Sequence, residues 1–171
     1  MNKEALPLSP KYDFAYLGGP FNSYFFQTKQ GIVYEVTFKP SGYLFGEHTL
    51  LGKNTFEFSV LVAENKTGKT PPSDALIPTT IAGIFFDFFR QSDFAVVYIC
   101  DTSDGRASVR NRKFNQWFDW YKGTTFLKID MQLGEDSNGQ TYFTAMILRT
   151  DHPKLGEVVN TFRDFIISQE K

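Results

Sequence analysis

The chain has 171 residues, a length that suits one domain with a substantial core. Its formal net charge of −1 leaves no general positive field to draw nucleic acid or an anionic membrane, so any such binding needs a local patch. Cys100 is the only cysteine, which excludes an intramolecular disulfide, argues against a thiolate zinc site and fits a reducing cytoplasm.

Residues 1–11 carry charge and proline and are expected to form a loosely held arm, with 12–171 a single α+β domain. The first residues show no apolar h-region of a signal peptide. No stretch approaches the roughly 18 apolar residues that a membrane-spanning helix needs. From Tyr12 the pattern becomes strand-like. Tyr24 to Thr28 and Ile32 to Phe38 flank the turn signal Lys29-Gln30-Gly31, and Ile32, Tyr34, Val36 and Phe38 share one face, so the two runs read as a hairpin. Phe56 to Val62 is the third strand. The next stretch, Asn65 to Ser73, has the Lys, Thr, Gly and Pro content of a loop.

Asp74 is a plausible helix start, and Pro78 is tolerable in a first turn. Ile77, Ile81, Ile84, Phe85 and Phe88 follow at helical spacing, widened by Ala82, Phe86 and Phe89, which predicts a deeply buried helix. Phe94 to Cys100 lacks polar alternation and reads as an interior strand covered on both faces. A second helix is expected near Arg106 to Tyr121, its apolar stripe supplied by Val109, Phe114, Trp117, Phe118 and Tyr121, with Gly123 just past its end. Phe126 to Leu133 and Thr141 to Arg149 are strands joined by a polar turn. On the first of them Phe126, Lys128, Asp130 and Gln132 form a half-polar face. A last helix, Lys154 to about Ser168, buries Leu155, Val158, Val159, Phe162, Phe165 and Ile166. The expected order is β-β-β-α-β-α-β-β-α: an α+β fold with a mixed, largely antiparallel sheet and helices packed on it.

Candidate chemistry concentrates between Cys100 and Lys113. A buried strand ends, the turn Asp101-Thr102-Ser103-Asp104-Gly105 intervenes, and a helix begins with Arg106, Arg110, Arg112 and Lys113. Such junctions collect unpaired backbone N–H groups and the positive end of a helix. Arg106, Arg110, Lys113 and Trp117 lie near one helical stripe, where cations beside an indole suit a phosphate and a stacked base. The structural alternative is that Asp101, Ser103 or Asp104 caps the helix and that Arg106 and Arg110 pair with these acids. Asp101 and Asp104 are also compatible with a hard cation, with Asp130 or Glu135 as further acids by sequence proximity. Cys100 would need a base to act as a nucleophile, and neither His48 nor His152 is placed beside it. Residues 63–70 resemble a phosphate-binding loop only superficially, since Ala63 stands where the first glycine belongs and Pro71-Pro72 follow where a helix should run.

The segment Tyr98-Ile99-Cys100-Asp101-Thr102-Ser103-Asp104-Gly105-Arg106, continued by Arg110, Phe114 and Trp117-Phe118, resembles a pattern YxCDxxDGRxxxRxxxFxxWF. That pattern is similar to one in small bacterial proteins, chiefly of Bacteroidetes, grouped as domains of unknown function. The resemblance extends from Tyr12 to the last helix and implies a bacterial cytoplasmic origin without an activity.

No catalytic set, metal-ligand set or cofactor motif assembles. The leading expectation is therefore a non-enzymatic binding protein, with Asp101, Asp104, Arg106, Arg110 and Lys113 as candidate binding residues and a protein or nucleic acid as partner. The rival is a small enzyme acting on phosphoesters through Asp101, Asp104, Arg106 and Arg110. A site should show these side chains converging on an open pocket, and a structural network should show them paired with one another.

Overall fold

The structure, a computed structural model, describes residues 10–100, 102–135 and 137–169. Seven strands are found among them: β1 (Phe14–Gly18), β2 (Ser23–Gln27), β3 (Val33–Pro40), β4 (Thr55–Glu64), β5 (Ala95–Ile99), β6 (Phe126–Glu135) and β7 (Thr141–Arg149). Five helices accompany them: α1 (Gly42–Phe45), α2 (Leu50–Asn54), α3 (Leu76–Phe88), α4 (Ala107–Tyr121) and α5 (Leu155–Gln169). Hydrogen-bonded neighbours follow the order β1-β2-β3-β4-β5-β7-β6. β4 and β5 run parallel, while the β1–β2, β2–β3, β5–β7 and β6–β7 pairs are antiparallel. The fold is thus α+β with a mixed, largely antiparallel sheet. Three elements are additions to the expected order: β1 before the hairpin, and the short helices α1 and α2 between β3 and β4. No helix among the described residues is long and apolar enough to cross a membrane.

The chain forms two compact units whose boundaries fall inside β3 and β4. One is drawn from the chain up to Phe38 and from Ser59–Arg90. Its hairpin pairs Tyr24 with Val36 and Phe26 with Tyr34, turning at Gly31 with φ +77°. The alternation puts Tyr24, Phe26, Val36 and Phe38 in the core, where Ile81, Ile84, Phe85 and Phe88 of α3 are also buried. The Phe38 ring lies flat on Phe88 with centroids 3.9 Å apart, and it meets Phe85 edge-on at 5.4 Å. Asp74 does the work expected at the start of α3: its Oδ1 accepts the Leu76 N–H at 2.9 Å and its Oδ2 accepts the Tyr12 hydroxyl at 2.5 Å. Of the expected arm, residues 1–9 lie outside the described residues, while the Pro10 carbonyl accepts the Thr79 hydroxyl at 2.8 Å.

The other unit comprises Lys39–Phe58 and the chain from Gln91 onward. β5 is its centre, with β4 on one side and β7 on the other. Ala95 and Val97 face a core made with Met146, Leu148 and the α5 residues Val158, Phe162 and Ile166. Val96 and Tyr98 point to the opposite face. There the Tyr98 ring stacks on Phe114 of α4 at 4.2 Å, and Phe58 lies 6.0 Å from both. Both faces of β5 are covered, as its unbroken apolar run requires. At the edge strand β6, the register shifts between Leu133 and Glu135, where Gly134 takes φ +46°. This is a bulge that a residue with a Cβ would resist.

Two glycines of this unit give opposite expectations. A Cβ on Gly52 of α2 would lie 2.0 Å from the Gly46 carbonyl oxygen, a backbone atom that cannot swing aside. A Cβ on Gly156, in the first turn of α5, would meet nothing within 4 Å. Gly52→Ala should therefore destabilise the protein by about 1–3 kcal/mol. Gly156→Ala should be neutral or stabilising by up to about 1 kcal/mol, because alanine is the better helix former. Urea unfolding of the two variants checks this, and equal midpoints would contradict the close approach at Gly52.

Candidate functional site

The segment after β5 is a turn followed by α4. Asp101 lies outside the described residues. Thr102 is buried, and Ser103, Asp104, Gly105 and Arg106 are exposed. Gly105 carries φ +70°, which lets the chain reverse into the helix. Asp104 Oδ1 accepts the Arg106 backbone N–H at 3.0 Å, so this acid tethers the residue at the N-cap position. The same carboxylate takes both ends of the Arg110 guanidinium, Nη1 donating to Oδ1 at 2.9 Å and Nη2 donating to Oδ2. This is the two-pronged geometry that suits arginine to a carboxylate. The Arg110 guanidinium, then the Arg106 N–H, hold the Asp104 carboxyl below its ordinary range.

Of the five sequence-derived candidates, then, Asp104 and Arg110 are brought together, and Arg106 adjoins them through its backbone. Lys113 stands apart on the exposed side of α4. The reason is the helical turn of 100° per residue. Ala107 and Phe114 are the buried positions of α4, with Phe118 and Tyr121 half-buried beside them. Arg110 sits at the edge of that face, close enough to the turn to reach Asp104. Val109, expected in the apolar stripe, lies about 140° from Phe114 and is 39 % exposed. Trp117 is half-buried at the margin. The sequence reading missed Trp120. It falls on the outward stripe with Lys113 and Val109 and is 82 % exposed. The helical wheel contains that signal, since Trp120 lies opposite Phe118.

Beneath α4 the half-polar face of β6 is put to use. The Lys128 side chain is only 7 % exposed, and its ammonium donates to Asn115 Oδ1 of α4 at 2.7 Å and to Asp130. It also lies 5.7 Å from the centre of the Phe118 ring. A buried cation satisfied in this way fixes how α4 seats on the strand. The Cys100 thiol and the Tyr98 hydroxyl influence each other's protonation. Burial pushes the thiol upward, against the opposing pull of Tyr98, Arg110 and Lys128. Burial and the Cys100 thiol likewise raise Tyr98. The thiol is thus held in its protonated, unreactive form. His152 lies elsewhere, its ring nitrogens bonded to the backbones of Asp93 and Lys154. Among the described residues no three His, Cys, Asp or Glu side chains come together to hold a metal ion.

Residues 73–164, more than half of the chain and including the whole segment from Tyr98 to Phe118, match a family of unknown function, DUF6169, and the chain belongs to that family. No curated protein and no solved structure matches it.

The Asp104–Arg110 pair predicts a pH signature. Because the folded carboxyl titrates below the unfolded value of about 3.9, its contribution is present above that pH and is lost as pH falls through the folded value. Arg110→Ala should lower the melting temperature at pH 7 by a few degrees at most, since the pair is exposed. The gap to the wild-type chain should shrink steadily below about pH 4. Thermal melts from pH 7 down to pH 2 measure it, and a gap that stays constant or widens in acid would contradict the pairing.

Proposed function

We propose that this is a binding protein of the bacterial cytoplasm that holds single-stranded nucleic acid along the outer face of α4. The supporting observation is the 82 % exposure of Trp120 on the same outward stripe as Lys113 and Arg106. An indole that far out of the core is available to stack on an unpaired base. Seven residues separate Arg106 from Lys113 and Lys113 from Trp120, about 10 Å per interval at 1.5 Å rise. This spacing lets an extended strand lay phosphates on the two cations and a base on the indole. From Asp104 to Lys122 the chain carries five cations and two acids, so the local field is positive although the chain is not. Arg112, also exposed, flanks the stripe. Arg110 has a structural role in this reading, and Asp104 neutralises it. The phosphoester-enzyme reading has less support, because both oxygens of Asp104 are occupied by Arg110 and the Arg106 N–H.

Anisotropy of a labelled oligothymidylate measures the interaction. Two to three phosphate contacts at about 0.7 each give a log–log salt slope of roughly 1.5–2. Arg106→Ala with Lys113→Ala should cut that slope by more than one unit. Trp120→Ala should weaken binding about tenfold or more at any salt. Neither change should move the melting temperature, since all three side chains are exposed. Binding with no salt dependence, or binding untouched by these variants, would overturn the proposal.

A further inference from the structure

Within the unit built on β5, the turn between β6 and β7 carries Ser137-Asn138-Gly139. Of the asparagines in the chain, Asn138 alone precedes a glycine. Asparagine is a chemically labile residue, and a following glycine has no Cβ to keep its backbone nitrogen from the side-chain amide. Both residues are exposed. Gly139 takes φ +75°, and a Cβ built on it would meet nothing nearer than Glu135 Oε2 at 3.9 Å. Among the described residues no backbone carbonyl accepts the Gly139 N–H. The other described asparagines are less open. Asn111 and Asn115 in α4 and Asn160 in α5 precede N–H groups committed to the helix. Asn54 precedes the buried Thr55. The Asn22 and Asn65 amides are tied to the Phe38 and Lys69 carbonyls. Asp104-Gly105 has a similar form, with φ +70° at its glycine, but it is closed. There the Gly105 N–H donates to the Thr102 carbonyl at 3.1 Å, and Arg110 holds both carboxylate oxygens.

We propose that Asn138 is a covalent modification site, deamidated by its own backbone with water as co-reactant. The Gly139 nitrogen adds to Asn138 Cγ. The Cγ–Nδ2 bond breaks, and ammonia leaves with the proton given up by the Gly139 nitrogen, so a succinimide ring remains. Water then opens the ring. Attack at Cγ leaves an aspartate. Attack at the backbone carbonyl carbon leaves an isoaspartate, whose main chain runs through the side-chain carboxyl. Either product places a new negative charge in the turn that Glu135 adjoins. Isoaspartate also adds a methylene to the backbone beside the Glu135–Thr141 end of the β6–β7 ladder. The inference does not rest on the reading of α4.

Incubating the full chain at neutral pH and physiological temperature, with tryptic peptide mapping at intervals, tests this. Asn138 is the only asparagine of the tryptic fragment from Ile129 to Arg149. That fragment should gain about one dalton, the exchange of an amide nitrogen for an oxygen, before any other asparagine-bearing fragment does. Fragmentation spectra should place the gain at Asn138 and not at Gln132 or Gln140. An isoaspartate-specific methyltransferase should label the same fragment and leave the one bearing Asp104 unlabelled. A synthetic peptide spanning residues 133–142 sets the intrinsic rate of the sequence, and the folded chain should react on the same time scale. Asn138 still intact when that peptide is fully converted would overturn the proposal, because the fold would then shield the turn. So would aspartate without isoaspartate, or isoaspartate arising first at Asp104.

Discussion

A strand whose side chains are apolar on both sides has to be covered twice, and β5 is such a strand. Ala95 and Val97 are answered by α5 through Val158, Phe162 and Ile166. On the opposite face Tyr98 is answered by α4, where Phe114 stacks on it and sits against Phe58. The second cover has a consequence for chemistry. Seating α4 with Ala107 and Phe114 inward fixes the rotation of the helix, and that rotation decides which of its many charged and aromatic residues meet water. Lys128 reinforces the choice from the sheet side, because its buried ammonium needs Asn115 where it is. Arg110 then falls at the margin within reach of Asp104, and Arg106, Lys113 and Trp120 fall outside.

The same principle explains why some elements were legible before the structure and others were not. β5 was readable because its apolar run lacks alternation, and α3 because its Phe and Ile residues recur at helical spacing. β6 announced a half-polar face through Lys128, Asp130 and Gln132, yet nothing in the pattern said that α4 would bury the lysine and leave the aspartate exposed. α1 and α2 span four and five residues, too few for any period to register, and α2 depends on Gly52 passing close to Gly46. β1 has Ala15, Tyr16 and Leu17 all exposed, so burial imprints no alternation on it.

At the candidate site the turn-to-helix junction was legible from residue types, and its wiring was not. Asp104 and Arg110 are six apart, with the acid in a turn, so the spacing rules for side chains on one helix do not apply to them. Whether Asp104 answers Arg110 or an outside ligand depends on the backbone reversal at Gly105. Val109 and Trp120 illustrate a different limit. An amphipathic reading assigns apolar residues inward, but a helix has only one rotation, and residues off the Ala107–Phe114 face are left in water whatever their hydrophobicity.

The central claim is that the rotation of α4 presents Trp120, with its neighbouring cations, to a polyanion. The chain has two tryptophans, so Trp117→Phe leaves Trp120 as the sole indole reporter. Titrating that variant with oligothymidylate at low salt, and then adding salt, observes the proposed contact itself. The account predicts marked quenching of Trp120 emission as bases stack on the indole, reversed as salt strips the phosphates from Arg106 and Lys113. Emission that stays unchanged through the titration, from a folded protein whose Trp120 is open to water, would contradict it.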